Sequence, residues 1–251
     1  DNATAIFAQT TSGSALSVDT RAGAVHTSGV AADGVTATFD GTVGVVTVRT
    51  AAITTDGNLS NGLNAFAGGA GASMLVDTTG GSILTKGTDA TGVNVNANTF
   101  GGTAASGLVT VKLGDVRTEG TGSAASIQAG AGGMDVTVTG AISTVGTNSW
   151  GLSLTNKLSG NSTITVDGSI TTTGATGHGI YTSTVGGTSK DIITINGSIS
   201  ATGSNAIGMI LAGTGDSVTV AVGGSVRGNS AGIQFQEPDA TPTLLTNAGT
   251  I

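Results

Sequence analysis

Residues 136–152 read VTVTGAISTVGTNSWGL, and a similar phrase returns as ITVDGSITTTGATGHGI at 164–180 and ITINGSISATGSNAIGM at 193–209. Each copy holds an alternating apolar and polar run, a Gly, an aliphatic residue and, about ten residues later, a second Gly followed by another aliphatic residue. The aliphatic residue after the first Gly, here called the rung, recurs at spacings of 25 to 33 residues, at Val25, Ile53, Ile83, Val116, Ile142, Ile170, Ile199, Val226 and Ile251. Repetition at this period indicates a solenoid, whose repeats bury their apolar faces against their neighbours.

Each repeat contains three short runs that are typical of β-strands. The first run ends shortly before the rung, as in TITV at 163–166, the second surrounds the rung, as in SITTT at 169–173, and the third follows the second Gly, as in GIYTST at 179–184. Alternation of Val, Ile and Thr indicates half-buried strands. Because equivalent strands recur at one long period, each is expected to pair in parallel with its copy in the next repeat. We therefore predict an all-β fold, a right-handed single-stranded parallel β-helix of about nine coils of about 28 residues.

The repeat extends over residues 1–251, which predicts a single β-helix without a second domain. Ile251 coincides with a rung, and residues 4–8 (TAIFA) resemble the third strand of an earlier coil. Solenoids normally carry a capping element at each end, and neither end of the sequence looks like one. We therefore expect a fragment of a longer β-helix, with both ends cut within a coil.

The composition restricts the classes of partner. The chain has 44 Gly, no Cys and only 9% charged residues, against roughly 25% charged residues in an average soluble domain. Its net charge is −7 and its eight Lys and Arg are scattered, which predicts no nucleic-acid partner. It has no run of about 18 apolar residues, so no segment of the sequence is expected to span a membrane.

The repeated phrases, together with the terminal LLTNAGTI at 244–251, resemble the passenger domains of autotransporters, the type V secreted proteins of Gram-negative bacteria. The resemblance covers essentially the whole chain. It implies a β-helical stalk at the bacterial cell surface, or secreted after cleavage, with a C-terminal outer-membrane barrel that lies outside this chain. Many members of the family are adhesins, which implies a host-cell surface protein or glycan as the partner, or self-association between cells.

Candidate catalytic residues are few. His26 and His178 are the only histidines, and neither lies near a G-x-S-x-G motif, so we predict no catalytic triad. Asp19, Asp77 and Asp167 are expected to share one register after the first strand, where Asp side chains bond to the backbone of turns. We therefore predict a non-enzymatic adhesin or receptor-binding stalk. A carbohydrate-active β-helix enzyme (a polysaccharide lyase or hydrolase) and a pure scaffold for a binding domain outside this segment are the alternatives.

One stretch of the sequence is similar to a known metal-binding repeat. LAGTGDSVTV at 211–220 is similar to the calcium repeat G-G-x-G-x-D, which works by stacking several copies so that ligands come from adjacent turns. Because the chain holds a single imperfect copy, we predict no metal site and no cofactor.

Aromatic residues provide the candidate binding site. Most lie just after the start of the third strand, which predicts an internal aromatic seam of Phe7, Phe39, Phe66, Phe100, Tyr181 and Phe235. Trp150 and His178 instead precede the second Gly of two successive repeats, where other repeats carry polar residues, so this corner is expected to face solvent. We predict that Trp150, His178 and Tyr181 form a ligand-binding patch, because Trp and Tyr offer large contact areas at small entropic cost. His178 is expected to add pH sensitivity near neutrality.

Overall fold

The computed structural model describes residues 3–12, 15–69, 71–97, 107–185, 189–236 and 242–251. These ranges contain 26 strands, which form three parallel sheets, and no helix that is long and apolar enough to cross a membrane. Every strand pairs with its equivalent one repeat away rather than with its neighbour in sequence. The chain therefore winds as a coil, passing in turn through sheet 1, sheet 2 and sheet 3.

The three sheets contain nine, eight and nine strands. Sheet 1 holds β2 (Ala15–Asp19), β5 (Val43–Arg49), β8 (Gly71–Asp77), β11 (Val109–Leu113), β14 (Met134–Val138), β17 (Ser162–Val166), β20 (Asp191–Ile195), β23 (Ser217–Val220) and β26 (Leu244–Asn247). Sheet 2 holds β3 (Val25–Thr27), β6 (Ile53–Thr55), β9 (Ile83–Thr85), β12 (Val116–Thr118), β15 (Ala141–Thr144), β18 (Ser169–Thr172), β21 (Ser198–Ala201) and β24 (Ser225–Gly228). Sheet 3 holds β1 (Ile6–Thr10), β4 (Val35–Phe39), β7 (Leu63–Ala67), β10 (Val93–Asn96), β13 (Ala125–Ala129), β16 (Leu152–Asn156), β19 (Ile180–Thr184), β22 (Ile207–Ala212) and β25 (Ala231–Phe235).

These pairings confirm the predicted parallel β-helix, with about eight turns of about 28 residues. The rungs from Val25 to Val226 form one continuous column in sheet 2, in which each is the register partner of the next. A strand of sheet 1 begins each coil, so that β14 to β16 form coil 5 and β17 to β19 form coil 6. Right-handed winding stays a prediction, based on the strong preference of parallel crossovers for that hand.

The core is a set of aliphatic columns that run along the inside of the coil. In β16 and β17 the inward residues Leu152, Leu154, Ile164 and Val166 are at most 1% exposed, while the residues between them face outward. Side chains in a strand alternate between the two faces, so each coil adds one inward layer of Val, Ile and Leu. Burial of these columns against the coils above and below is the main hydrophobic contribution to stability.

The second Gly of the phrase packs against the rung of the following coil. A Cβ atom placed on Gly151 would lie 2.4 Å from Cγ2 of Ile170, and one on Gly179 would lie 2.4 Å from Cγ2 of Ile199. The branched methyl group of each rung therefore fills the space that a side chain one coil earlier would need. This contact explains why the rung and the Gly–aliphatic pair recur together in the sequence.

A buried threonine closes the corner between sheets 2 and 3. The hydroxyl of Thr55 donates to the carbonyl oxygen of Ser60, and that of Thr172 donates to the carbonyl oxygen of Gly177, both at 2.8 Å. Corresponding bonds are made by Thr27, Thr85, Thr118 and Thr144. The bond satisfies a carbonyl group that the corner would otherwise leave buried without a partner.

A column of glycines occupies the same corner, four residues after the rungs. A Cβ atom on Gly57, Gly146 or Gly174 would lie 1.8 to 2.0 Å from the carbonyl oxygen of the equivalent Gly one coil earlier. The same clash would arise at Gly87, Gly120 and Gly203. Neighbouring coils therefore touch backbone to backbone at this corner, and any side chain would force them apart.

The expected register of the aspartates is wrong for Asp167. Asp19 and Asp77 do share a column, with Arg49 between them. That column continues through Lys112 and Thr137 to Thr165, so Asp167 lies two residues further along. The difference arises because the corner after Asp77 is five residues long, whereas in coil 6 only residues 167–168 separate the two strands.

Replacing Gly146 with Ala tests the backbone contact between coils. The added methyl group would meet the carbonyl oxygen of Gly120, so we expect the free energy of unfolding to fall by about 1–3 kcal/mol, as in other overpacked sites. Gly23→Ala is the control, because a Cβ atom there would meet nothing within 4 Å. Urea denaturation should show a change of no more than about 0.5 kcal/mol for the control. Equal stability of both variants would contradict the proposed role of the glycine column.

Candidate functional site

Trp150, His178 and Tyr181 lie together on the outside of coils 5 and 6. The rings of Trp150 and Tyr181 are stacked, with centroids 4.9 Å apart and an angle of 26° between their planes. His178 holds the position of Trp150 one coil later, since the amide of Gly151 donates to the carbonyl oxygen of His178 at 3.0 Å. The structure thus brings the three predicted residues into one half-buried patch.

Strand alternation explains why the patch faces outward and adds two residues to it. In β19, Ile180 and Thr182 point inward and Tyr181 points outward, where its register partner in the next coil is Ile210. Ile210 is only 6% exposed although it occupies an outward position. Ile207 extends the column of Trp150 and His178, because the amide of Gly179 donates to its carbonyl oxygen at 3.1 Å.

We call Trp150, His178, Tyr181, Ile207 and Ile210 the aromatic patch. Sequence reasoning missed Ile210. The signal was the run Met209, Ile210, Leu211, in which three consecutive apolar residues break the alternation expected of a half-buried strand. An apolar residue on the outward parity of such a strand indicates that something covers it.

The same two columns are polar in coils 1 to 4, although the column of Tyr181 begins with the exposed Phe7 on β1. Asp33 and Asn61 hold the position of Trp150, and each side chain accepts a hydrogen bond from the backbone one coil later. The backbone amide of Asn61 donates to Asp33 Oδ1 at 2.7 Å, and that of Thr91 donates to Asn61 Oδ1 at 3.0 Å. Asn64 and Asn94 hold the position of Tyr181, and the amide nitrogen of Asn94 donates to Asn64 Oδ1 at 3.2 Å. These ladders satisfy their own polar groups, so the apolar residues of coils 5 to 7 are not required by the fold.

His178 is held as a neutral acceptor. Its Nδ1 atom accepts a hydrogen bond from the amide of Ile207 at 3.0 Å, which places the proton of the neutral ring on Nε2. Partial burial lowers the pKa of His178 from its ordinary value. Protonation of His178 therefore requires a lower pH than protonation of a histidine in solvent.

The predicted internal aromatic seam is wrong for several of its members. Phe39 is fully buried inside the coil, and Phe235 occupies an inward position but is half-buried. Phe7, which is 61% exposed, and Phe66 both occupy outward positions of sheet 3. A shift of one residue along a strand moves a side chain to the opposite face, and sequence spacing alone did not fix that parity. Phe100 lies outside the described residues.

Other polar groups form charge pairs on the surface. The carboxylate of Asp56 lies 2.8 Å from His26 Nε2 and 2.9 Å from Lys86 Nζ, and the hydrogen bond from Lys86, followed by that from His26, lowers the pKa of Asp56. The side chain and the backbone amide of Arg21 hydrogen-bond to Asp19 and lower its pKa to about 2. In the part of the chain that the structure describes, no three His, Cys, Asp or Glu side chains are grouped to hold a metal ion.

Comparisons of the chain with family models, with curated proteins and with solved structures found no match. Function is therefore inferred from the fold and from the patch. The patch combines an aromatic stack, aliphatic neighbours and one imidazole in columns that are polar in coils 1 to 4. Such clusters of Trp and Tyr on a rigid support are typical of binding surfaces.

The stacked rings of Trp150 and Tyr181 should stabilise each other. In a double-mutant cycle of Trp150→Ala and Tyr181→Ala, we expect a coupling of about 0.5–1.5 kcal/mol in the free energy of unfolding, as for other stacked aromatic pairs. Trp150→Ala combined with Thr36→Ala, which lies on the same sheet four coils away, is the control cycle and should show additive effects. Additive effects of the two aromatic substitutions would show that the rings do not pack together in solution.

Protonation of His178 should destabilise the fold at acidic pH. The pKa of His178 is lower in the folded chain than in the unfolded chain, so the unfolded chain takes up the proton more readily. The stability that depends on the neutral ring is therefore present above the unfolded pKa of about 6.5 and is lost as the pH falls below it. His178→Asn keeps an acceptor near the position of Nδ1 without titrating. Between pH 7 and pH 5 the melting temperature of the wild type should therefore fall relative to that of His178→Asn. Parallel curves for the wild type and His178→Asn would contradict the prediction.

Proposed function

We propose that this chain is a non-enzymatic stalk of the autotransporter passenger type, displayed on the bacterial surface or released from it, that binds a host-cell surface protein or glycan through the aromatic patch. The observation that carries the proposal is the replacement of polar side chains, which hydrogen-bond to one another and to the backbone, by the half-buried rings of Trp150 and Tyr181 at equivalent positions. The parallel β-helix and the sequence resemblance support the same class. Self-association between cells through the patch is the related alternative partner.

The architecture favours binding by side chains. Inside each sheet the backbone amides and carbonyls are already paired with the neighbouring coils, so they have little to offer a peptide strand along the length of the stalk. Outward side chains on a rigid support lose little entropy when they bind. The aromatic patch is held on three consecutive strands of sheet 3, β16, β19 and β22, or directly beside them, and so meets this requirement.

Adherence of coated beads tests the binding role of the patch. Fluorescent beads carrying the 251-residue chain are expected to bind cultured epithelial cells, and the double variant Trp150→Ala/Tyr181→Ala should bind at least about tenfold less, as expected for central aromatic contacts. Thr155→Ala/Ser183→Ala removes two outward side chains from the same strands and should bind like the wild type. Circular dichroism of every variant shows that the β-fold is retained. Equal adherence of the aromatic variant would contradict a binding role.

Three further measurements separate the proposal from its alternatives. Incubation with a panel of polysaccharides should release no shortened products, whereas measurable depolymerisation would establish a carbohydrate-active enzyme. Mild proteolysis of intact bacterial cells that express the full gene product should remove the chain if it is displayed at the surface. If the full protein without these coils still adhered normally, the segment would be a scaffold only.

A further inference from the structure

The accessible apolar members of the aromatic patch form a strip along the stalk, here called the apolar strip, which consists of Trp150, Tyr181 and Ile207. The rings of Trp150 and Tyr181 stack across coils 5 and 6, and Ile207 continues the column of Trp150 in coil 7. All three side chains are half-buried, whereas Ile210 beside them is almost fully covered. At about 4.8 Å per coil, the strip extends over about 10 Å.

The strands that carry the strip contain polar residues but no charged ones. Ser153 is the register partner of Tyr181 in coil 5, and Ser126 holds the same position in coil 4. Strands β13, β16, β19 and β22 contain no Asp, Glu, Lys or Arg, and the first charged residue after β16 is Lys157, beyond the end of the strand. A ligand that lies along these strands therefore meets hydroxyl and amide groups around an apolar centre.

The corner beside the strip is also uncharged. Two residues before each member of the Trp150 column lies a further amide or hydroxyl side chain, on Asn148, Thr176 and Asn205. The hydroxyl of Thr176 donates to the side-chain oxygen of Asn148, which links this column across coils 5 and 6. Neutral hydrogen-bonding groups thus border the strip on its corner side as well as along the strands.

This combination of groups restricts the chemistry of the ligand. Sialylated and sulfated glycans carry negative charges, which proteins commonly bind with Arg or Lys. Protein partners are commonly selected by complementary charges across the interface. A neutral hexose ring instead presents C–H groups on one face and hydroxyls around its edge. The C–H face packs on the negative face of an aromatic ring, and the hydroxyls bond to uncharged amides and hydroxyls.

We propose that the aromatic patch binds an uncharged oligosaccharide, whose hexose rings pack on the apolar strip. This inference rests on the binding role proposed above and names the chemical class of the ligand. His178 suits such a ligand, because its Nδ1 atom accepts the amide of Ile207 and the proton on Nε2 can be donated to a sugar hydroxyl. Since the strip crosses three coils, an oligosaccharide makes more contacts with it than a single sugar does.

Fluorescence titration tests the proposal, because Trp150 is the only Trp of the chain and reports directly on the strip. Cellotetraose, maltotetraose and lacto-N-tetraose are the probes, and at least one should give a saturable change with a Kd of about 1 mM or lower. Tyr181→Ala should weaken binding at least about tenfold, whereas Tyr181→Phe keeps the ring and should stay within about threefold of the wild type.

Phe7→Ala is the matched control. It removes an exposed aromatic ring from the same outward column of sheet 3 but far from the strip, so it should bind the probes like the wild type. The proposal is overturned if no neutral probe gives a saturable change, or if sialyllactose binds more tightly than lactose. Binding by Tyr181→Phe that is as weak as binding by Tyr181→Ala would show that the ring does not carry the contact.

Competition in the bead assay separates this inference from the proposed function. A neutral oligosaccharide that binds the patch should reduce adherence of wild-type beads when it is added at a saturating concentration. If the double variant Trp150→Ala/Tyr181→Ala adheres less but no neutral oligosaccharide competes, the cellular partner is a protein, and only the inference on the ligand fails. If the oligosaccharide binds the patch but the double variant adheres like the wild type, the ligand class stands and the adhesive function fails.

Discussion

Between sheets 2 and 3 the backbones of neighbouring coils touch, and this contact limits what every other part of the structure can be. The carbonyl oxygen of Gly120 occupies the space where a Cβ atom of Gly146 would lie, and the same relation holds between Gly146 and Gly174. No other residue type fits such an approach without moving the coils apart. The contact fixes the spacing and the register of successive coils at one corner. Stacking of the rungs in sheet 2 and of Gly151 under Ile170 follows from that register.

Because the register is fixed, the side chains at equivalent outward positions can change from polar to apolar along the stack of coils without changing the fold. One outward column passes from Asn61 in an early coil to Trp150 and His178 in later ones, while the pairing of the backbone stays the same. Each coil contacts mainly its neighbours, so the stability of a solenoid is close to a sum of local terms. A binding patch can therefore arise over two or three coils without a change in the fold of the remaining coils.

The sequence predicted the parts of the fold that repeat with an unambiguous periodicity. The rung column from Val25 to Val226 and the three strands of each coil were visible because β-branched residues alternate and recur at one period. The sequence also predicted that Trp150, His178 and Tyr181 lie close together, since these residues replace polar ones at equivalent positions, while their role in binding stays a prediction. The glycine column was missed although it is present in the sequence four residues after the rungs, because Gly is so abundant that a single column does not stand out.

Sequence spacing alone did not show which face of a sheet each side chain occupies, and this uncertainty matters most in coils 5 to 8. The variable length of the corners displaced Asp167 from the register of Asp77, and a shift of one residue placed Phe66 outside while Phe39 lies inside. The same ambiguity concealed Asp191, whose position at the start of β20 reads as a loop residue but is inward. Strand β19 shows how adjacent residues face opposite sides of the sheet, because the ring of Tyr181 faces the surface and the hydroxyl of Thr182 faces the buried carboxylate of Asp191. Because the inner face of β19 is buried and its backbone is paired on both sides, the strand offers a rigid support for the aromatic ring on its outer face, and rigidity of that kind lowers the entropic cost of binding.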